Sequence, residues 1–400
     1  MSLVTKTFLL LLMVGLVTPS SAFALSKKTL PKAVPQTFRY AAWIPYWKKT
    51  AGVAEAQAHL SQLQEISPFN YTFKKDGSLT DLAKLIDEPW PALLGSSSEM
   101  HVAILPTVAS GSAGTTFAVL SSKKLRNRHE NAILDLVMAN RWDGIDIDYE
   151  NKTVETRPYF SAFIKELALA LHKEKKLLSC TIEPRTPIDS LYYVPPTARV
   201  ERANDYSILG KYCDQIRIMA YDQTTVDVRL NDAKGGKNLY APIADINWVH
   251  KVLHNALKSF PAKKIMLGIP TYGYVYRVTP IGGRLRDYTI AKSIGYADAF
   301  ALAQEKGVRP ERNLAGELSF SYSTTTPLET APTHGGLPLT GQAPTSTPVV
   351  SPPNNRYVSF TDASSIGNLV ILAKSYNIRG VALFKLDGAA DPSMWTKITP

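Results

Sequence analysis

Four carboxylates fall within eight residues of this 400-residue chain, in the run Arg141-Trp142-Asp143-Gly144-Ile145-Asp146-Ile147-Asp148-Tyr149-Glu150. Asp146, Asp148 and Glu150 alternate with Ile145, Ile147 and Tyr149, which is the period of a strand with one acidic and one apolar face. Residues two apart on a strand lie about 6.5–7 Å from each other along one face. Like charges held that close are costly unless protons and hydrogen bonds are shared along the row. The chemistry such a row suits is proton handling: a carboxyl beside carboxylates keeps its proton toward neutral pH and can then donate it. A calcium loop would need a sharp Gly turn among its Asp residues and ligands further on, and here the intervening residues are β-formers. With no His cluster at metal-ligand spacing either, neither a metal nor a cofactor is expected.

Two further groups of residues bear on chemistry. Met219-Ala220-Tyr221-Asp222 closes a predicted strand. Aromatic residues crowd the ends of other predicted strands: Trp43, Tyr46 and Trp47, then Phe69 and Tyr71, then Tyr272 and Tyr274, and finally Phe384. Aromatic rings offer flat apolar faces to a ligand, and Tyr hydroxyls add hydrogen bonds. Tyr46, Tyr71, Tyr272 and Phe384 are the ones expected to line a cleft. Glu183 and Arg185 follow another strand, either within reach of a ligand or as a surface ion pair.

The spacing Asp-x-x-Asp-x-Asp-x-Glu, as Asp143, Asp146, Asp148 and Glu150, resembles the signature of glycoside hydrolase family 18, the chitinase-like enzymes. Met219 to Asp222 resembles that family's Met-x-Tyr-Asp, and residues 380–387 resemble its last strand. The resemblance covers about residues 38–398. It implies Glu150 as general acid and Asp148 as the group that orients the substrate's acetamido arm. That arm, rather than an enzyme carboxylate, attacks the anomeric carbon. Asp146 would share a proton or charge with Asp148, and Asp143 would play a supporting part at the strand start. Tyr221 would donate to the acetamido group, with Asp222 and Met219 beside the substrate. The family usually carries Trp where Phe384 stands, so the sugar floor here has less area and no N–H. Residues 356–365 resemble bacterial members that act on cell-wall or spore-wall glycans. The implied substrates are β-1,4-linked N-acetylglucosamine polymers, either chitin oligomers or peptidoglycan. The other reading is a catalytically silent carbohydrate-binding protein on the same scaffold. Such relatives usually lack the terminal Glu, and the presence of Glu150, Asp148 and Tyr221 together favours an enzyme.

The elements that must position these residues alternate. Strands are predicted at 38–45, 65–73, 100–108, around 146, at 176–183, 214–221, 264–270 and 379–386. Helices are predicted at 50–64, 79–86, 123–140, 158–173, 206–212, 247–260 and 364–376, with a Gly/Ser loop at 109–114. Eight strand–helix units predict a (β/α)8 TIM barrel, whose active site lies at the C-terminal strand ends. Glu150 ends its strand, so chemistry and architecture agree. Residues 275–363 interrupt the alternation as a small α+β insertion between strands 7 and 8. It is predicted to hold a helix at 288–304, paired strands at 317–322 and 356–360, and a mobile Pro/Thr-rich loop at 324–355. The barrel itself is assigned to 38–274 and 364–398.

The composition, 45% hydrophobic and 20% charged, is that of a globular protein with a sizeable core. The net charge of +11 suits an anionic partner or, equally, a plain solubilising surface. Its dispersal, and the lack of a nucleic-acid motif, point to a wall polymer rather than nucleic acid. Lys6, the apolar stretch 8–17 and Ala22-Phe23-Ala24 read as an export signal over 1–24, followed by a linker at 25–37. The apolar stretch is shorter than the ~20 residues of a spanning helix, so no membrane anchor is expected. The expected product is a secreted monomer. Cys180 and Cys213 are expected as two buried free thiols rather than a bridge, since two cysteines do not make a disulfide framework.

Overall fold

The acidic run forms a six-residue strand, Gly144–Tyr149, buried along its whole length. The computed structural model describes residues 37–197, 200–235, 238–282, 285–324 and 354–399. The predicted export signal, nearly all of the predicted linker and nearly all of the Pro/Thr-rich loop therefore lie outside the described residues.

Seven strands pair in parallel in chain order: β1 (Arg39–Pro45), β2 (Glu65–Phe73), β3 (Thr107–Ser110), β4 (Gly144–Tyr149), β5 (Leu177–Ile182), β6 (Gln215–Ile218) and β7 (Ile265–Pro270). Four strands of a second sheet come next: β8 (Gly273–Gly282), β9 (Leu285–Ile294), β10 (Leu318–Thr324) and β11 (Asn354–Phe360), all antiparallel. The eighth barrel strand, β12 (Gly380–Phe384), pairs in parallel with both β7 and β1 and closes the barrel. The fold is a (β/α)8 barrel with an α+β insertion before its last strand.

Alternation along each strand decides what faces where. Ile145, Ile147 and Tyr149 of β4 point outward into the main core, with Phe160, Phe163, Ile164 and Leu167 of the helix Arg157–Lys173. The inner face carries Asp146, with Glu65 from β2 and Gln215 and Arg217 from β6, all at most 1% exposed. Buried polar groups of this kind persist only when they satisfy one another, and Arg217 does this by bonding both Glu65 and Asp146. The insertion has its own small core of Val275, Ile294, Ala299, Ala303, Phe320, Val358 and Phe360. It is tied to the barrel where the Thr361 N–H donates to the Tyr272 carbonyl at 3.2 Å.

Several predicted elements differ from the observed ones. Residues 79–86 do not form a helix. Leu79–Asp81 pairs antiparallel with β2, and the Asp81 carboxylate then accepts from the N–H groups of Ala83, Lys84 and Leu85 at 3.0, 2.8 and 3.1 Å. A short acid that captures the following amides competes with helix formation. The helix comes later, at Trp90–Glu99. The Gly/Ser loop at 109–114 instead starts a helix, Ala113–Ser121, because Ser112 caps it by accepting from Thr115 N. The strand expected at 100–108 is broken, with Ala103–Ile104 and Thr107–Ser110 on either side of Leu105-Pro106. The helix expected at 288–304 is Tyr296–Glu305, since the residues before it complete β9.

The cysteines also correct the sequence reading: Cys180 and Cys213 are joined in a disulfide, with Cα atoms 6.1 Å apart. Cys180 lies on the outward face of β5, and Cys213 just precedes β6, the strand paired with it. Parallel neighbours thus bring together two residues 33 positions apart. A loop of that size in the denatured chain corresponds to ~2–4 kcal/mol of stabilisation. The C180S/C213S double variant should lose stability in that range, read as a lower urea midpoint, with a steeper slope because the freed denatured chain exposes more surface. An unchanged midpoint would contradict this.

Candidate active site

Each residue in the row on β4 meets a different environment. Asp146 lies deepest. Its oxygens accept from Trp43 Nε1 at 3.1 Å, Thr107 Oγ1 at 2.9 Å, Thr181 Oγ1 at 2.9 Å and Arg217 Nη1 at 3.3 Å. Burial pushes its pKa up, and the hydrogen bonds from Trp43, Thr181 and Thr107 oppose the shift. A cage made of donors alone fits the ionised form. Its link to Asp148 is electrostatic, the second of the two alternatives, a shared proton or charge, considered from the sequence.

Asp148 is 3% exposed, and its Oδ1 has no hydrogen-bond partner. Burial raises its pKa well above the usual carboxylate range, and the neighbouring Glu150, Asp146 and Glu183 raise it further. Glu150 follows the last residue of β4 at the mouth of the barrel, where its backbone N–H donates to Ser110 O at 2.7 Å. Burial lifts its pKa to about 7, with Glu183 and Asp222 adding and Lys152 opposing. The row therefore offers a caged anion at its base, an unpartnered carboxyl oxygen above it, and a carboxylic acid with a near-neutral pKa at the rim.

Tyr221 and Asp222 lie just beyond the end of β6. The Tyr221 ring stacks on Phe384 with centroids 5.3 Å apart and planes 12° from parallel. It fits there because residue 268 is glycine: a Cβ at that position would lie 2.9 Å from the Tyr221 ring and 2.6 Å from Ile218 O. Burial, followed by the charges of Asp148, Asp222 and Glu150, drives the Tyr221 pKa far up, so its hydroxyl is a donor across the working pH range. Tyr272 donates to Asp222 Oδ1 at 2.6 Å. Met219 packs beside these rings. Phe384 is the hub of the floor, with Trp43, Phe69 and Tyr272 at centroid distances of 5.8, 6.2 and 6.1 Å.

Three expected residues lie elsewhere. Asp143 is exposed at the N-terminal end of β4, the opposite end from Glu150, where its carboxylate accepts from Ile104 N at 2.8 Å; it holds the strand start and does not join the row. Tyr71 faces outward, 5.8 Å from Trp142 and within the main core. A bulge between Phe69 and Tyr71 adds one residue, so Phe69 points into the barrel while Tyr71 and Phe73 point out. Tyr46 begins a short 3-10 turn after β1 and packs on the main core. The neighbouring Trp47 takes the place foreseen for it, 5.8 Å from Phe69. Lys152, buried behind the row, carried no periodic signal that sequence reasoning could use.

The profile of Glycosyl hydrolases family 18 matches residues 42–389. The chain belongs to that family. Among curated relatives, the uncharacterized glycosylase YvbX of Bacillus subtilis is 23% identical over 287 residues, which cover 70% of this chain and 67% of YvbX. The chain spans between about half and two thirds of the length of the curated relatives it matches first. Two crystal structures share the fold. A chitinase of Chromobacterium violaceum superposes with a TM-score of 0.68 at 20% identity, covering 90% of this chain and 98% of its own. The spore cortex-lytic enzyme SleL of Bacillus megaterium gives 0.66 at 21% identity, covering 92% of this chain and 75% of its own. As a family 18 member the chain is a glycosidase, and its family implies binding of N-acetylglucosamine-containing glycans. Among the described residues no helix is long and apolar enough to cross a membrane. No group of His, Cys, Asp and Glu among them is placed to hold a metal ion.

Proposed function

We propose that this family 18 glycosidase cleaves β-1,4-linked N-acetylglucosamine glycans with retention, using the substrate's own acetamido group as nucleophile. The observation that carries the reading is the graded row on β4, which leads from the caged Asp146 through the open Asp148 oxygen to Glu150 with a pKa of about 7. The sugar at the cleavage point rests on Phe384. Tyr221 donates to the acetamido oxygen region, and Asp148 accepts from the acetamido N–H, for which its free Oδ1 is suited. The acetamido oxygen then bonds to the anomeric carbon as the glycosidic bond breaks, and Glu150 gives its proton to the leaving oxygen. In the second step Glu150 takes a proton from water, whose oxygen reopens the cyclic intermediate.

Chitin oligomers and peptidoglycan strands both contain this linkage, and both kinds of enzyme stand among the structural neighbours, as a chitinase and a spore cortex-lytic enzyme. The charge of +11 supports work on an anionic wall polymer. With the export signal at 1–24, the enzyme acts as a secreted monomer at or beyond the cell wall. Hydrolysis of chitin oligomers and of purified peptidoglycan, followed side by side across pH, tests this. Glu150 must carry its proton to act as acid, so kcat/KM should be sustained below about pH 7 and fall as pH rises through it. A basic limb near pH 4–5, the ordinary carboxylate range, would oppose the reading.

A further inference from the structure

One buried charge behind the row has no part in the steps above. Lys152 lies two residues past Glu150, after Asn151, whose φ of 54° turns the chain back on itself. The Lys152 side chain is 1% exposed. Its ammonium donates to the Tyr149 carbonyl, lies 4.6 Å from the centre of the Phe160 ring, and lies 3.9 Å from Glu183 Oε1. A lysine in a turn normally extends its charge to water, and a buried ammonium is costly unless it is paired. Here the pairing is with the acids of the site. Glu183, just past the end of β5, is held toward it by Asn204, whose Nδ2 donates to Glu183 Oε2 at 2.6 Å. Asn204 O in turn accepts from Arg185, which lies 3.7 Å over the Tyr206 ring.

We propose that Lys152 and Glu183, an ammonium and a carboxylate 3.9 Å apart behind the row, are a pair of positioning residues for Glu150. The inference rests on Glu150 being the acid. The charged and titratable groups around it are Asp148 from β4, Glu183 after β5, Tyr221 and Asp222 after β6, and Lys152 itself, with Arg185 beside Lys152. Of these, Glu183 and Asp222 raise the Glu150 pKa and Lys152 lowers it. Lys152 acts on Asp148 in the same direction. Burial lowers the pKa of Lys152, while Glu183, Asp148 and Glu150 together favour its charged form.

The test is the pH dependence of kcat/KM on N-acetylglucosamine oligomers for K152M, K152R, E183Q and E150Q. A neighbouring positive charge favours the ionised carboxylate and a neighbouring negative charge disfavours it. K152M should therefore shift the basic limb upward in pH, and E183Q should shift it downward. K152R, which keeps the charge, should leave the limb near the wild-type position. Limbs that stay in place while activity falls evenly at every pH, or that move in the same direction in K152M and E183Q, would overturn the proposal. Should K152M fail to fold by circular dichroism, E183Q carries the test alone, and an unmoved limb there overturns it. A fully active E150Q variant would remove the acid reading itself, and with it this inference.

Discussion

Replacing Glu150 with Gln is expected to lower kcat on N-acetylglucosamine oligomers about a thousandfold, with KM changed little. A positioned general acid contributes roughly 10²–10⁴ in rate, and the same residue serves again as base in the second step. Gln keeps the size and the hydrogen-bonding reach of the side chain and removes only the transferable proton. The fold should persist, because Glu150 is only partly exposed at a strand end and its structural tie is the backbone bond to Ser110. Reducing-end release, measured beside an unchanged urea midpoint, separates lost chemistry from lost structure. Wild-type rates in this variant would remove Glu150 from the acid role.

The second large effect is on stability. Arg217 is completely buried inside the barrel, bonded to Glu65 and to Asp146 and lying 4.8 Å from the Trp43 ring. Burial pulls its pKa down to about 9, which leaves it charged at neutral pH. R217M would strand two buried carboxylates. Glu65 would keep the Gln215 amide at 2.7 Å, and Asp146 would keep its three neutral donors. Removing one partner of a buried ion pair typically costs ~3–5 kcal/mol, whereas replacing both by apolar groups of similar volume costs far less. R217M should therefore lower the urea midpoint strongly, and E65M/R217M should recover much of the loss. Equal stability of wild type and R217M would mean that the interior charges are not coupled in this way.

The barrel was legible because its strands and helices carry distinct periods. β4 was read most closely, since a two-residue period with acids on one side and Ile145, Ile147 and Tyr149 on the other leaves a single assignment of faces. The site residues that sit on regular strands or at their ends, Asp146, Asp148, Tyr221 and Tyr272, were legible for the same reason. What escaped depends on local departures from regularity. A one-residue bulge after Phe69 reverses the faces of Tyr71 and Phe73, and no residue type in that stretch announces it. Lys152 returns to the site through a left-handed turn at Asn151, which periodicity does not encode. The disulfide follows from which strands are neighbours, a matter of topology rather than of the residues around either cysteine.

The most direct measurement compares wild type and E150Q on two aryl glycosides of N-acetylglucosamine oligomers, one with a poor leaving group and one, a dinitrophenolate, that departs without a proton. If Glu150 hands its proton to the leaving oxygen while the sugar's amide attacks, the deficit of E150Q should shrink by about tenfold or more on the dinitrophenyl substrate. The same deficit on both substrates would contradict proton donation by Glu150.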